Sequence, residues 1–320
     1  AGRKPSDLIT KEVLMNAIMF DMAVAGSTNA VLHILSYAYE LGIKLTLEDF
    51  EKYAEEIPCI NAVVPSGPYT VVDFHYAGGV MNVMKMLESK LYTNVPSMYG
   101  NTWADMLSKV KAQENKVIHS LEKPLFHEPG LKILRGNLSP NGAIVRPTAV
   151  YDEVKYMKGK AKVFEGDRPA FEAIMAGEIV PGDIIVIRYE GCKGAPGMKE
   201  LMLSIDALIG LGLDKSVGLI SDARFSGFNY GAIIGHVSPE AYDGGNIALV
   251  ENGDEIVIDI PNGEVSMLVS EEELERRRAA WVCPPLKEEK GCLNIFAKMC
   301  RPAEEGGAMQ PWDLNAKFKR

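Results

Sequence analysis

DIIVIRYEGCKGAPGMKELML, Asp183–Leu203, and SVGLISDARFSGFNYGAIIGH, Ser216–His236, are the two stretches around which the chain is organised. Each opens on a short β-branched run, Ile184–Ile187 and Val217–Ile220. Continuous apolar runs of this length predict strands covered on both faces. Each strand empties into a glycine-rich loop bearing charged or hydroxyl groups. The first holds Gly191, Gly194 and Gly197 around Lys193 and leads to Glu200; the second holds Asp222, Arg224, Ser226 and Gly227. Glycine allows the backbone a close approach to a ligand, and polar loops on buried strands commonly build sites. The two loops are expected to meet over one pocket.

The remaining chain divides around residue 130. Residues 1–128 read as mostly helical: a helix capped by Thr10, a second after Gly26–Asn29 ending at Gly42, then Leu47–Glu56, Val80–Lys90 and Trp103–Gln113. Residues 129–320 alternate short β-branched runs with Asn-Gly, Pro-Gly and Gly-Asp turns. The predicted strands are Ile144–Val145, Ala161–Phe164, Ile184–Arg188, Val217–Ile220, Ile247–Val250, Glu255–Ile260 and Ser266–Val269. Helices are predicted over Arg168–Ala176, Leu201–Leu211, Glu271–Trp281 and Leu293–Met299. The turns at 251–254 and 261–264 suggest an antiparallel meander. The fold class is mixed α/β.

Composition excludes several functions. At 320 residues, 47% hydrophobic and 24% charged, the chain suits two domains or a domain and a half. A net charge of −9 argues against a nucleic-acid binder. No apolar run approaches the roughly 20 residues of a membrane helix. The polar opening AGRKPSD has no signal-peptide character. Five cysteines without paired spacing suggest reduced thiols and a cytoplasmic protein. The chain opens on Ala1 and reads as a piece of something longer.

Neither loop is a Walker A sequence, and no G-x-G-x-x-G follows a strand. Glu200 has two open readings, a first-turn helix carboxylate or a metal ligand. Ser226 lacks the G-x-S-x-G setting of a hydrolase nucleophile, so ordinary turn chemistry is the simpler reading. His75 and His236 read best as hydrogen-bonded structural histidines. The cysteines form no metal motif by spacing. The charged run Glu271–Arg278 reads as a solvated helix face.

Seven strings nevertheless resemble the family of dihydroxy-acid, 6-phosphogluconate and sugar-acid dehydratases. They are GSTNAVLH (26–33), DFHYAGG (73–79), LRGNLSPNGA (134–143), AGEIVPGD (176–183), GAPGMKE (194–200), SDARFSG (221–227) and GHVSPEA (235–241). They occur in family order across nearly the whole chain. The resemblance implies a hydro-lyase converting 2,3-dihydroxy carboxylates to 2-keto acids, with an iron–sulfur cluster (2Fe-2S or 4Fe-4S), magnesium and a serine base. A serine acts as base only where a cation field lowers its pKa, and the developing enolate needs the same charge.

Carried onto this sequence, Ser226 matches the base and Glu200 one magnesium ligand. Asp222, Arg224, Gly227, Phe228 and Asn229 would neighbour the substrate, and Asp73 and His75 would line the same cleft. None of the cysteines matches a cluster position, and Cys192 stands where proline is common. The resemblance thus implies the C-terminal portion of a dehydratase: the end of an N-terminal α/β domain (1–128), then a swivelling β-barrel-like domain (129–320). Implied partners are a small dihydroxy carboxylate, the missing N-terminal portion and further copies in a homodimer or larger assembly. Within the family, SDAR and Tyr230-Gly231 resemble the sugar-acid branch, and RFSG the dihydroxy-acid branch. Phe228, Asn229 and the tail (WVCPPL to GGAMQPW) depart from the expected patterns, and the balance favours a sugar acid. The alternative is a binding or structural module that keeps the fold without the chemistry.

Overall fold

The computed structural model describes residues 2–99 and 101–310; the last two residues of the GGAMQPW tail string lie outside them. The chain folds as two compact units, 1–132 with 146–148, and 133–145 with 149–320.

The first unit is helical: α1 (Lys11–Ala23), α2 (Thr28–Glu40), α3 (Leu47–Glu56), α4 (Val71–Tyr76), α5 (Gly79–Met86) and α6 (Trp103–Leu107). Thr10 and Ser27 accept backbone N–H bonds at the starts of α1 and α2, satisfying amides that the helix leaves unpaired. Leu14, Ile18, Met22, Val31, Leu35 and Phe50 form its buried side. Two expectations need correction. Helix α6 stops at Leu107 instead of reaching Gln113. The Asn82 side chain takes both the Gln113 N–H (3.0 Å) and the Gln113 carbonyl (2.8 Å), replacing helical bonds there. Helix α4 was not anticipated, although Thr70 and Asp73 form the capping box that starts it.

The second unit contains β1 (Lys132–Leu134), β2 (Gly142–Val145), β3 (Tyr156–Phe164), α7 (Asp167–Met175), β4 (Asp183–Ile187), β5 (Glu200–Leu201), α8 (Leu203–Gly210), β6 (Gly218–Ser221), β7 (Arg224–Phe225), β8 (Ile233–Ser238), β9 (Glu255–Asp259), β10 (Glu264–Met267), α9 (Glu271–Ala280) and α10 (Cys292–Met299). Eight strands form one sheet in the order β1-β2-β8-β6-β4-β3-β9-β10. Strands β3, β4, β6 and β8 run parallel, and β2, β9 and β10 join antiparallel. Arg135, just past β1, exchanges backbone bonds with Gly263 and Val265, so the two edges nearly close into a barrel.

Both faces of β4 are buried, as its unbroken apolar run predicts. Ile184 and Val186 join Ile220, Ile234, Ile256 and Val265 in one core layer. Ile185 and Ile187 face the opposite layer, with Leu219, Phe225 and the helix residues Ala170, Ile174, Ile205 and Leu208. This is the period-two alternation of a strand covered on both sides.

The run Ile247–Val250, expected as a strand, contributes a 3-10 turn over Asn246–Leu249. Side chains take its carbonyls instead of a partner strand: Arg188 binds those of Ala248 (2.6 Å) and Val250 (3.1 Å), and Arg277 that of Leu249 (3.0 Å). Only the turn at 261–264 therefore closes a hairpin, with Glu264 opposite Asp259. The other, at 251–254, is a turn entering β9.

Candidate active site

Strands β8, β6 and β4 lie side by side and parallel, so their carboxyl ends deliver three segments to one end of the sheet. These are the turn after β6, the long loop after β4 and the segment after β8. Such strand ends are where open parallel sheets place ligands.

The loop after β4 is held tightly at its stem. A Cβ on Gly191 would stand 2.0 Å from a Glu240 carboxylate oxygen, and one on Gly194 would stand 2.4 Å from the Tyr189 backbone. Both positions need glycine for this approach. Asp222 is 1% exposed, and its carboxylate accepts the N–H groups of Tyr189 (3.1 Å), Glu190 (2.9 Å) and Ala241 (3.0 Å). Glu240, also buried, accepts the N–H of Lys193 at 2.8 Å. Glu190 is paired with Lys199 (3.1 Å) and Lys287 (3.0 Å). Burial pushes Asp222 up to about 6 against the opposing pull of its N–H donors. Burial, then the charge of Asp222, pushes Glu240 up to about 8.

The exit of the loop is held from the same turn. Arg224 donates through Nε to the Met198 carbonyl (2.5 Å) and through a terminal nitrogen to the Gly197 carbonyl (3.2 Å). Immediately afterwards β5 and β7 pair in parallel, with Glu200 opposite Arg224 and Leu201 opposite Phe225. Leu201 and Phe225 are buried in the helix-side core layer. Alternation therefore puts Glu200 and Arg224 on the other face; Ser226 follows just past the end of β7. Glu200, Ser226 and Gly227 are half-buried. Ser226 Oγ accepts the N–H of Phe228 at 3.2 Å.

Beyond Ser226 lies an aromatic rim. Phe228 is 62% exposed and meets Tyr230 edge-on at 6.3 Å; Tyr230 stacks on Tyr151 at 6.1 Å. Asn229 is buried. The structure thus sets Glu200 opposite Arg224, with Ser226, Gly227 and Phe228 just past the end of β7, while Asp222 and Arg224 direct their polar groups at loop backbone. Asp73 and His75 belong to the first unit, on α4. Asp73 is a helix-capping carboxylate, bonded to the Thr70 N–H (2.8 Å) and hydroxyl (2.7 Å), which lower its pKa. His75 is exposed, with its ring edge-on to Tyr76 at 5.4 Å. His236 is buried with φ 56, and its N–H bonds to the Ala223 carbonyl. Glu190 and Glu240 escaped the sequence reading of the site. Glu240 sits in a quoted string, GHVSPEA, but nothing in its spacing shows which amide it takes.

The donor set fits metals unevenly. The oxygen of Glu200 suits a hard divalent cation. An iron–sulfur cluster needs several convergent thiolates; without a metal, burial pushes Cys59 and Cys300 up to about 12 and Cys192 well above its ordinary range. Among the described residues no three His, Cys, Asp or Glu side chains converge to hold a metal ion. Nor is any described helix long and apolar enough to cross a membrane.

Comparison with known proteins agrees with the motif reading. The family model described as dihydroxy-acid/6-phosphogluconate dehydratase C-terminal matches residues 116–307, and its N-terminal counterpart matches residues 1–106. Dihydroxy-acid dehydratase of Clostridium novyi (strain NT) is 45% identical over 310 residues, 96% of this chain and 56% of the relative. That of Methanococcus aeolicus is 41% identical over 308 residues, again 56% of the relative. That of Ignicoccus hospitalis is 45% identical over 311 residues. The chain therefore spans about half the length of the curated relatives it matches, 56% in each of these cases. With both family models matched in order along the chain, the chain belongs to the dihydroxy-acid/6-phosphogluconate dehydratase family.

Proposed function

We propose that the chain is the base-bearing, C-terminal portion of a hydro-lyase that converts a 2,3-dihydroxy carboxylate to a 2-keto acid. The observation that supports this reading is the parallel register of β5 and β7, which sets Glu200 opposite Arg224, two residues before Ser226. Ser226 takes the C2 proton; the C3 hydroxyl leaves with its bonding pair, and the resulting enol becomes the 2-keto acid on protonation at C3. The Phe228 N–H on Ser226 Oγ favours the deprotonated hydroxyl, because a donor stabilises the charged form. Glu200 is the one magnesium ligand from this chain, and Asp222 and Arg224 hold its loop. When bound, magnesium supplies charge stabilisation for the enolate oxygen. None of the cysteines of this chain matches a cluster position of the family, so the cluster's ligands belong to another part of the protein. The relatives bear the name dihydroxy-acid dehydratase, which weighs toward a dihydroxy acid over a sugar acid.

Ser226→Ala in the full-length enzyme is the test. It abolishes 2-keto acid formation while leaving the cluster absorbance unchanged; retained turnover refutes the assignment. Assaying the parent enzyme against dihydroxyisovalerate, pentonates and hexonates identifies the branch.

A further inference from the structure

The turn between β6 and β7 holds the loop after β4 at both ends. At the entrance, the Asp222 carboxylate gathers the Tyr189 and Glu190 N–H groups, and adds the Ala241 N–H from the segment after β8. At the exit, the Arg224 guanidinium gathers the Gly197 and Met198 carbonyls. An anion thus meets backbone donors and a cation meets backbone acceptors, and both come from side chains two residues apart. Charge-assisted bonds of this kind are stronger than neutral ones. Between the two grips the loop has little conformational choice. Gly191 and Gly194 lie too close to Glu240 and Tyr189 to carry side chains, and Met198 holds a positive φ of 53. Two residues beyond Met198 comes Glu200, and two beyond Arg224 comes Ser226.

We propose that Asp222 and Arg224 act as paired positioning residues, a two-ended clamp that sets where the Glu200 carboxylate stands relative to Ser226. The proposal rests on the reading of Glu200 as a metal ligand and goes beyond it. Neither clamp residue needs to touch substrate. The clamp acts as outer partners of metal ligands do, by fixing the ligand-bearing backbone, and losing such a partner typically weakens metal affinity or activity by about 10–100-fold. It also explains why an acid and a base sit in a turn whose chemistry would otherwise be a single hydroxyl.

The experiment uses the full-length enzyme and Mn2+ as the probe, with free Mn2+ followed by electron paramagnetic resonance. Three single variants are compared: Asp222→Asn, Arg224→Lys and Glu200→Gln. Hydrogen exchange of peptides spanning 189–200 is measured alongside. The expected result is a Kd for Mn2+ raised about tenfold in Asp222→Asn and in Arg224→Lys, with faster exchange across the loop. The double variant should lose less than the product of the single effects, because both ends hold one loop. If Glu200→Gln binds Mn2+ as tightly as wild type, the metal-ligand reading fails and takes the proposal with it. If Glu200→Gln loses Mn2+ while both clamp variants retain wild-type affinity, the clamp alone is refuted, whatever happens to loop exchange. Asp222 is deeply buried, so should Asp222→Asn fail to fold, the half-buried Arg224→Lys decides.

Discussion

Replacing Glu240 with Gln should flatten the pH dependence of stability. The Glu240 carboxylate is 2% exposed, lies against Gly191 and accepts the Lys193 N–H. The charges around it are Asp222, Asp243 and Lys193; the Cys192 and Cys300 thiols are close enough to feel its charge. Burial pushes its pKa up to about 8 in the folded protein, against an ordinary value of 4.5. A carboxyl raised on folding contributes stability that is fully present below its unfolded pKa and lost as pH rises through the folded one. Each pH unit between the two values is worth about 1.4 kcal/mol, so ionising this group costs on the order of 4 kcal/mol by pH 8. Gln keeps the size and an acceptor for Lys193 but cannot ionise. Urea unfolding can be followed through tryptophan fluorescence, since Trp281 donates to the Tyr189 hydroxyl at the same loop stem. Wild-type stability should fall between pH 5 and 8.5 more steeply than that of Glu240→Gln. Parallel curves for the two proteins would refute a protonated Glu240.

Other outcomes follow from the same geometry. Gly191→Ala must push a methyl into the Glu240 carboxylate, at 2.0 Å; unfolding should show a loss of about 1–3 kcal/mol, the usual cost of overpacking. Arg277 bonds Asp254 through both terminal nitrogens, at 2.6 and 3.0 Å, and Glu273 at 2.8 Å, with its side chain 10% exposed. Arg277→Ala leaves Asp254 without its cation, keeping the Glu251 N–H at 2.8 Å, and should cost about 3 kcal/mol in urea unfolding. Phe228→Ala removes the exposed ring next to Ser226 and should lower kcat/KM for an apolar-tailed dihydroxy acid about tenfold, the worth of a lost hydrophobic contact. A pentonate should lose less; equal losses on both substrates would remove Phe228 from substrate selection.

How far the sequence speaks depends on whether a residue's role is local. Strands β4 and β6 were legible because burial on both faces writes an unbroken apolar run. Strand β8 was not, because Gly235 and His236 interrupt its run and His236 takes a positive φ that sequence does not announce. Ile247–Val250 has a strand's composition, yet Arg188 and Arg277 satisfy its backbone from far along the chain. The capping box at Thr70 was legible, since Asp73 stands three residues after it. Glu200 and Ser226 stood out through motif resemblance. The roles of Asp222, Arg224 and Glu240 are tertiary: which amide or carbonyl each takes depends on the folded path of the loop after β4.

That dependence separates two kinds of polar residue within one heptapeptide, SDARFSG. Asp222 and Arg224 spend their charges on backbone that would otherwise lack partners, an arrangement in which removal of either side leaves buried groups unsatisfied. Phe225 anchors the turn in apolar packing. Ser226 combines partial exposure with a backbone donor on its oxygen and a position directly after the strand that pairs with Glu200. A turn with only one of these features would be ordinary. With an anchored backbone on both sides, its hydroxyl stands two residues past Arg224, the residue opposite Glu200 in the β5–β7 register, and a preset placement of that kind is what a proton transfer beside a cation requires.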